Sequence, residues 1–401
     1  MRITVIGAGL IGSAIARELN DREGVTQIQI LDARARSLQE LHAEIKSSKL
    51  RSFQVDVRDF NVLEPILRGS DCVIGCALPE VNPILAETCL NLGIHFCDLG
   101  GNDEIVEKEL ALHDRARQKS VWIVPNCGLA PGLVNVLCLA GIEQFDEVEF
   151  AHLRVGDVPL YPEPPFNFRI SWSAEKIIDD YTHPVQLIEK GKVRTAEPLS
   201  RLEPISFPEP FGSMESFCTA GGLSTLTDEL ADKVKTLDHK TIRWPGHANQ
   251  MHALLELGFG EDRSIDVRTH LTYRDILVRR MRKRLGGTYE DAVLMRVVIK
   301  GKKDGEKKTL VYEMVDLFDR ETEISAMKRC TSIPAAAAAY LIATGSIKGG
   351  GAVPPENCVP KEEYLKIIAE RGLDISTSWY DGYVDVRHPG VRDPSGSGDR
   401  S

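Results

Sequence analysis

The sequence predicts an α/β fold: a Rossmann-type, doubly wound parallel sheet joined to a second domain of longer alternating strands. Three observations predict it. From residue 2 to about 124, short continuous apolar runs alternate with segments of helical period, the pattern of parallel strands covered on both faces by crossover helices. A glycine-rich turn, Gly7-Ala8-Gly9-Leu10-Ile11-Gly12, directly follows the first run and opens a helix-like segment. Beyond Pro131 the texture changes to longer alternating strands, with proline-rich loops at 161–166 and 204–212, so a second domain begins there.

The elements follow in order. Runs at 3–6, 28–31, 53–55, 72–77, 94–96 and 121–124 are the expected strands of the first domain, brief and unbroken as buried strands are. In the second domain the clearest element is a hairpin. Val293, Met295, Val297 and Ile299 alternate with other side chains, the chain reverses at Asp304-Gly305, and Leu310, Tyr312 and Met314 resume the alternation; an antiparallel sheet with one covered face is expected. Ser332 and Pro334 read as the cap and first turn of a helix that runs through five alanines to a stop at Gly345. Residues 385–401, with Pro389, Pro394 and a Gly/Ser run, are expected to be a disordered tail.

With 401 residues, 42% apolar and 27% charged, the chain has material for about two domains with full cores. Its formal charge of 49 − 59 = −10 repels phosphate backbones and anionic membranes. The one basic run, Arg279, Arg280, Arg282, Lys283 and Arg284, has helical spacing without interleaved aromatics and reads as a solvated helix face. Nine cysteines without a CxxC pair read as buried thiols in a reducing compartment. With no basic leader and no apolar stretch near the ~20 residues of a membrane span, a cytoplasmic protein is expected, with neither nucleic acid, membrane nor metal as a partner.

Within the glycine turn, Gly7 permits the tight bend, Gly9 lets a pyrophosphate approach the backbone and Gly12 lets helix and strand pack closely. Asp32 ends the second run, 20 residues beyond Gly12, where a carboxylate accepts from adenosine ribose hydroxyls and repels a 2′-phosphate. NAD is therefore the expected cofactor. Ala33 follows it, and Arg34 and Arg36 keep NADP open as the alternative, because arginines there also accommodate a 2′-phosphate. Asp56, ending the third run, reads either as an adenine contact or as a turn cap. Ala77, Leu78 and Pro79 follow the fourth run, at the carboxyl end where open α/β sheets bind ligands, and suit a nicotinamide ribose.

Five strings occur in a specific order: Asp98-Leu99-Gly100-Gly101; Pro125-Asn126-Cys127-Gly128-Leu129-Ala130-Pro131-Gly132; Thr219-Ala220-Gly221-Gly222-Leu223-Ser224-Thr225-Leu226; Lys240-Thr241-Ile242-Arg243-Trp244-Pro245-Gly246-His247; and Gly350-Gly351-Ala352-Val353-Pro354-Pro355-Glu356. Together they resemble the saccharopine dehydrogenase-like superfamily, and within it the lysine 6-dehydrogenase branch, over nearly the whole chain. The resemblance implies a Rossmann domain of residues 1–130 completed by about 331–376, and a substrate-binding and dimerisation α+β domain over 131–330 that carries a large open mixed sheet. It also implies catalysis in the cleft between them, on C–N bonds of amino acids through an imine.

That chemistry needs a neutral amine, a C–H held about 3 to 3.5 Å from the nicotinamide, and a polar group to take the proton. Asp98 is one candidate, its other reading being the N-cap of a helix near Asn102. Arg243 is the candidate for gripping a carboxylate through its planar fork, with Thr241 beside it. Lys240 and His247 are the candidate acid or base groups. Gly222 and Ser224 are expected to meet the substrate from their turn, and Glu163 to pair with an α-amine.

The leading expectation is NAD-dependent oxidative deamination of an amino acid's side-chain amine, lysine above all. Two alternatives stand beside it. One is an NADP-linked reductase of the saccharopine or carboxyspermidine type, joining an amine to a keto acid or aldehyde, for which a second arginine, Arg154 or Arg169, would accompany Arg243. The other is a dinucleotide-binding sensor without turnover. Open sheet edges in the second domain suggest a homodimer or higher homo-oligomer.

Overall fold

A computed structural model describes residues 1–385, 387 and 388. The chain divides into two units, one comprising Met1–Val136 and Lys328–Leu373, the other Leu137–Met327 and the described residues from Asp374 onward.

The first unit opens with β1 (Arg2–Ile6), β2 (Gln27–Asp32), β3 (Leu50–Gln54), β4 (Cys72–Gly75), β5 (His95–Asp98) and β6 (Trp122–Val124). The second unit contributes β7 (Glu147–Pro159), β8 (Val185–Glu189), β9 (Lys192–Ala196), β10 (Glu203–Phe207), β11 (Gly212–Cys218), β12 (Thr236–Arg243), β13 (Asp291–Lys303) and β14 (Glu306–Leu317). The chain then returns to the first unit with β15 (Gly351–Ala352) and ends in the second with β16 (Ser376–Asp381).

In the first unit seven parallel strands lie in the order β15-β6-β5-β4-β1-β2-β3, the reversal beside β1 marking the switch point at which such sheets bind dinucleotides. Ile6, Leu31, Val73, Phe96 and Ile123 are buried in its core with helix residues such as Leu63, Leu85 and Cys89. The third strand lies at 50–54, three residues before the start of the apolar run at 53–55, because pairing with β2 fixes the register. All nine cysteines are free thiols, seven of them buried. Among the described residues, no helix is long and apolar enough to cross a membrane, and no group of three or more His, Cys, Asp or Glu is placed to hold a metal ion.

Among the described residues the second unit is built on nine strands, with the path β10-β11-β12-β7-β13-β14-β16 and the pair β8 and β9 attached at β12. β12 and β7 run parallel and the other pairs antiparallel, so the sheet is mixed. The hairpin of β13 and β14 turns at Asp304 and Gly305, both with positive φ. The sheet is not covered on one face alone. β13 is buried through its first eleven residues and β7 through its last nine, because helices lie over one face and β10 folds over the other, where Arg296 Nη2 donates to the Ser206 carbonyl at 2.7 Å.

Two further expectations are corrected. The alanine-rich helix spans Ala326–Ala343 and contains Pro334 in its interior. Its N-terminus is set by Asp291 of β13, whose carboxylate accepts from the N–H groups of Ala326 (2.8 Å) and Met327 (2.9 Å), a cap supplied from a distant strand. Of the expected tail at 385–401, Asp385 and Arg387 are held: the Arg387 carbonyl accepts from Ser206 N and from Arg296. Residues 386 and 389–401 lie outside the described residues. The basic run lies on the helix Tyr273–Leu285, where Arg279, Arg280, Arg282, Lys283 and Arg284 are exposed.

Candidate active site

The glycine turn of the first unit is fixed by its own packing. Gly7 has φ +107°, and a Cβ there would lie 2.6 Å from the Cys76 carbonyl oxygen. A Cβ on Gly12 would lie 1.8 Å from the Gly7 carbonyl oxygen, whereas one on Gly9 would meet nothing within 4 Å. Gly7 and Gly12 are thus required by the fold, and Gly9 leaves open space where the helix Leu10–Asn20 presents its first N–H groups. Leu10 and Leu78, at the carboxyl ends of β1 and β4, are exposed apolar side chains, with Ile11, Ala77 and Pro79 half-buried beside them.

Asp32 pins this turn. Its Oδ2 accepts from Ala8 N at 2.8 Å, and its Oδ1 from Arg34 N at 2.8 Å and Arg34 Nε at 3.3 Å. Burial raises the carboxyl, but the N–H groups of Arg34 and Ala8 together outweigh it and hold Asp32 below its ordinary value. Ala33, Arg34 and Arg36 are exposed next to it, so a carboxylate and two arginines share the place that separates NAD from NADP. Asp56 lies two residues past β3 and takes the turn-cap reading: its carboxylate is bound by Arg58, accepting from Arg58 N at 3.0 Å.

Asp98 does not face outward. It is fully buried, and its Oδ1 accepts from Gly100 N (2.7 Å) and Asn126 N (3.2 Å). Asn102 caps the next helix, its Oδ1 accepting from Ile105 N, so Asp98 is neither that cap nor an exposed amine holder; it ties the end of β5 to the end of β6.

In the second unit the alternation of β12 sorts the candidates. His239, Thr241 and Arg243 share one face, and Asp238, Lys240 and Ile242 the other. On the first face Arg243 is buried; its Nη1 donates to the Asp157 and Ile242 carbonyls and pairs with Asp157 Oδ1 at 3.3 Å, while its Nε donates to Tyr181 Oη at 3.2 Å. Phe168 lies under the guanidinium at 4.8 Å. Its Nη2 makes no hydrogen bond or ion pair among the described residues. Tyr181 Oη stands 3.0 Å from His247 Nε2, and His247 Nδ1 stands 3.1 Å from the Phe166 carbonyl. Since that carbonyl only accepts, Nδ1 carries the proton and Nε2 accepts from Tyr181. Burial, reinforced by Arg243, pushes His247 down to about 3. The helix His247–Glu256 is held in place by Glu215 of β11, whose carboxylate accepts from Gly246 N and Ala248 N.

Lys240 is separated from this group. Its Nζ pairs with Glu203 at 3.0 Å in a buried cluster with Arg154, Asp238 and His152 on the opposite face, because its neighbours in sequence point the other way along a strand. Glu163 is exposed and paired with Arg169. Thr241 Oγ1 shares a 2.7 Å hydrogen bond with Thr219 Oγ1. Gly222 is needed by the His239 ring: a Cβ there would lie 2.3 Å from Nδ1. Ser224 sits in the same turn with φ 45°.

Three residues on this face went unassigned in the sequence. His239 is buried with neither ring nitrogen hydrogen-bonded among the described residues, and burial pushes it down to about 4. Tyr181 and Asp180 come from the helix Ala174–Thr182. Burial raises Asp180 to about 6 despite the Lys176 ammonium 3.4 Å away. A Cβ on Gly221 would stand 3.7 Å from Asp180 Oδ1, so the glycine turn runs past both Asp180 and His239. Reading β12 strictly every second residue would have found His239.

Residues 3–124 match the model of the saccharopine dehydrogenase NADP binding domain, and residues 128–373 that of the saccharopine dehydrogenase C-terminal domain. The chain belongs to the saccharopine dehydrogenase family. Like other members of this family it is an NAD(P)-dependent oxidoreductase that acts on amine-containing substrates. It is similar to a carboxyaminopropylagmatine dehydrogenase from Synechocystis, with 22% identity over 93% of this chain and 96% of the relative. Among solved structures it shares its fold with apo saccharopine dehydrogenase (L-Glu forming) from Saccharomyces cerevisiae, with a TM-score of 0.77 and 15% identity over 94% of this chain and 99% of that one. It likewise matches homospermidine synthase from Legionella pneumophila in complex with NAD, at a TM-score of 0.66 and 13% identity over 97% and 96% of the two chains.

The first unit of this saccharopine dehydrogenase relative fits a dinucleotide: open space beside Gly9 at a helix N-terminus, uncovered Leu10 and Leu78, and a carboxylate at the end of β2. When bound, that group supplies the hydride acceptor or donor.

Proposed function

We propose that this enzyme moves a hydride between NAD(P) and a CH–NH bond of an amino acid carrying one carboxylate, with NAD-linked oxidation of lysine's side-chain amine to an imine as the first candidate reaction. The observation that carries this reading is Arg243, whose Nε and Nη1 are anchored by the protein while Nη2 has no partner among the described residues; a guanidinium held this way is preorganised for a carboxylate. A single such group favours a single carboxylate, since Arg154 lies on the opposite face in a paired cluster and Arg169 is bound to Glu163.

Asp180 is the group suited to take the substrate's proton. A carboxylate raised to about 6 by burial accepts and returns protons near neutrality, whereas His247 at about 3 is a poor base and serves to orient Tyr181. Purified protein should form NADH with lysine, losing activity as the pH falls below about 6. Asp180→Asn should remove that acid limb and lower kcat by about 10²-fold or more, the ordinary contribution of a general base. No turnover with lysine, ornithine or other diamino acids would exclude the reading.

A second reading, an NADP-linked reductase that joins an amine to a keto acid or aldehyde, is favoured by the end-to-end similarity to carboxyaminopropylagmatine dehydrogenase and by the exposed Arg34 and Arg36 beside Asp32. NADPH consumption that requires both an amine and a carbonyl compound would select it.

A further inference from the structure

Glu109, on the helix Asp103–Leu110, is fully buried although three neighbours on that helix, Glu104, Glu107 and Lys108, face solvent. Its carboxyl lies against that of Asp98. Both Glu109 oxygens and Asp98 Oδ2 are buried without a hydrogen-bond donor, and no Lys, Arg or His pairs with either residue among the described residues. The other groups around Asp98 are the Cys76, Cys97 and Cys127 thiols and the amides of Asn82 and Asn126. None of these is a cation. Two carboxylates packed together away from water, without a cation, cannot both be ionised; a proton between them turns the contact into a strong hydrogen bond.

We propose that Asp98 and Glu109 share one proton, and that Glu109, acting through Asp98, is a positioning residue for the loops that leave β5 and β6 at the dinucleotide site. Asp98 is the knot between those loops. Its Oδ1 holds Gly100 N and Asn126 N, its backbone carbonyl accepts from Cys127 N at 2.7 Å, and a Cβ on Gly100 would lie 2.2 Å from Asn126 Oδ1. Gly100 and Asn126 both have positive φ; glycine takes it freely, whereas Asn126 is held there with the help of its N–H bond to Asp98. The protonated Glu109 keeps Asp98 ionised and oriented. Once the proton is lost, two like charges face each other in an apolar site and the knot loosens. Burial, followed by the charge of Asp98, raises the Glu109 carboxyl in the direction this sharing requires.

The inference rests on the dinucleotide site of the first unit and not on which amine is oxidised, so it is tested with NADH and NADPH alone. Wild type, Glu109→Gln and Glu109→Leu are titrated by calorimetry from pH 6 to pH 9. Glu109→Gln, which keeps an N–H donor towards Asp98, should bind within about twofold of wild type across this range, because the Glu109 carboxyl is raised to about 11 and keeps its proton at pH 9. Glu109→Leu should bind about tenfold more weakly throughout, because Asp98 is left buried without its donor. Equal affinity of all three proteins at every pH would overturn the proposal, as would a Glu109→Gln defect as large as that of Glu109→Leu. Should Glu109→Leu not fold, infrared spectroscopy of the other two decides: a buried protonated-carboxyl band present at pH 7 in wild type and missing in Glu109→Gln is expected, and no difference between them would refute the shared proton.

Discussion

The two faces of β12 carry equally buried polar groups that are finished to different degrees. On the face of Lys240 and Asp238 the charges close on one another: Arg154 is bound by Asp238 and Glu203, Lys240 by Glu203, and His152 Nδ1 by Asp238. On the face of His239, Thr241 and Arg243, part of the bonding capacity is left over among the described residues: both His239 nitrogens are buried without a partner, and Arg243 Nη2 makes no hydrogen bond to the protein. The first is a self-contained ion cluster that holds the sheet together. The second has the form of a site that a ligand completes, because an unmet donor in a buried place is costly until something meets it.

This contrast can be broken by experiment. Arg154→Ala should have the largest effect, destabilising the protein by about 3–5 kcal/mol in chemical denaturation, because the buried Asp238 and Glu203 lose the guanidinium they share and keep only His152 and Lys240 as partners. Whatever protein still folds should keep its KM. Arg243→Ala should raise KM for the amino acid by about a hundredfold or more, as expected for loss of a charge-assisted carboxylate contact, besides the stability lost when Asp157 is left without its cation. If both variants lost stability alone, the two faces would be equivalent and the contrast would fail.

The pH dependence of stability sharpens it further. His239 and His247 are held at about 4 and about 3 in the fold, below the ordinary histidine value. A depressed histidine stabilises above its unfolded pKa and loses that contribution as pH falls towards its folded pKa. Between about pH 6.5 and 4 each of these histidines makes the unfolded chain bind one more proton and costs about 1.4 kcal/mol of stability per pH unit, a slope that the raised carboxyls of Asp180, Asp291 and Glu109 oppose. Stability from denaturant unfolding measured across that range should, in His239→Gln, fall less steeply with falling pH by one histidine's share, about 1.4 kcal/mol per pH unit. An unchanged slope would show that the ring is not buried and neutral.

What the sequence disclosed follows the range of the interactions that decide each feature. The turn from Gly7 to Gly12 and the carboxylate at Asp32 were legible because spacing along a few residues dictates them, and the hairpin reversal at Asp304 and Gly305 for the same reason. The start of the helix Ala326–Ala343 was not, because its cap, Asp291, lies 35 residues upstream; Glu215 caps the helix of His247 in the same way, from 33 residues before Ala248. Lys240 was grouped with Arg243 by adjacency, and the strand's two-residue period separates them. Asp98 stood out as a carboxylate beside glycines, but the feature that turns it inward, Glu109, looks in the sequence like one more charge on an exposed helix.

The late arrival of β15 sets a condition on how this protein is made. The edge strand Gly351–Ala352 completes the first sheet against Trp122 and Ile123, and His113 stands within 3.0 Å of the Ala352 carbonyl. During synthesis the opening 136 residues therefore wait, with one side of their sheet uncapped, until nearly 200 intervening residues have left the ribosome. Long-range closure of this kind slows folding and exposes a sticky margin meanwhile. A fragment cut after Val136 is an unfinished object, and anyone wishing to study the nucleotide-holding half in isolation would have to splice residues 328–373 back onto it.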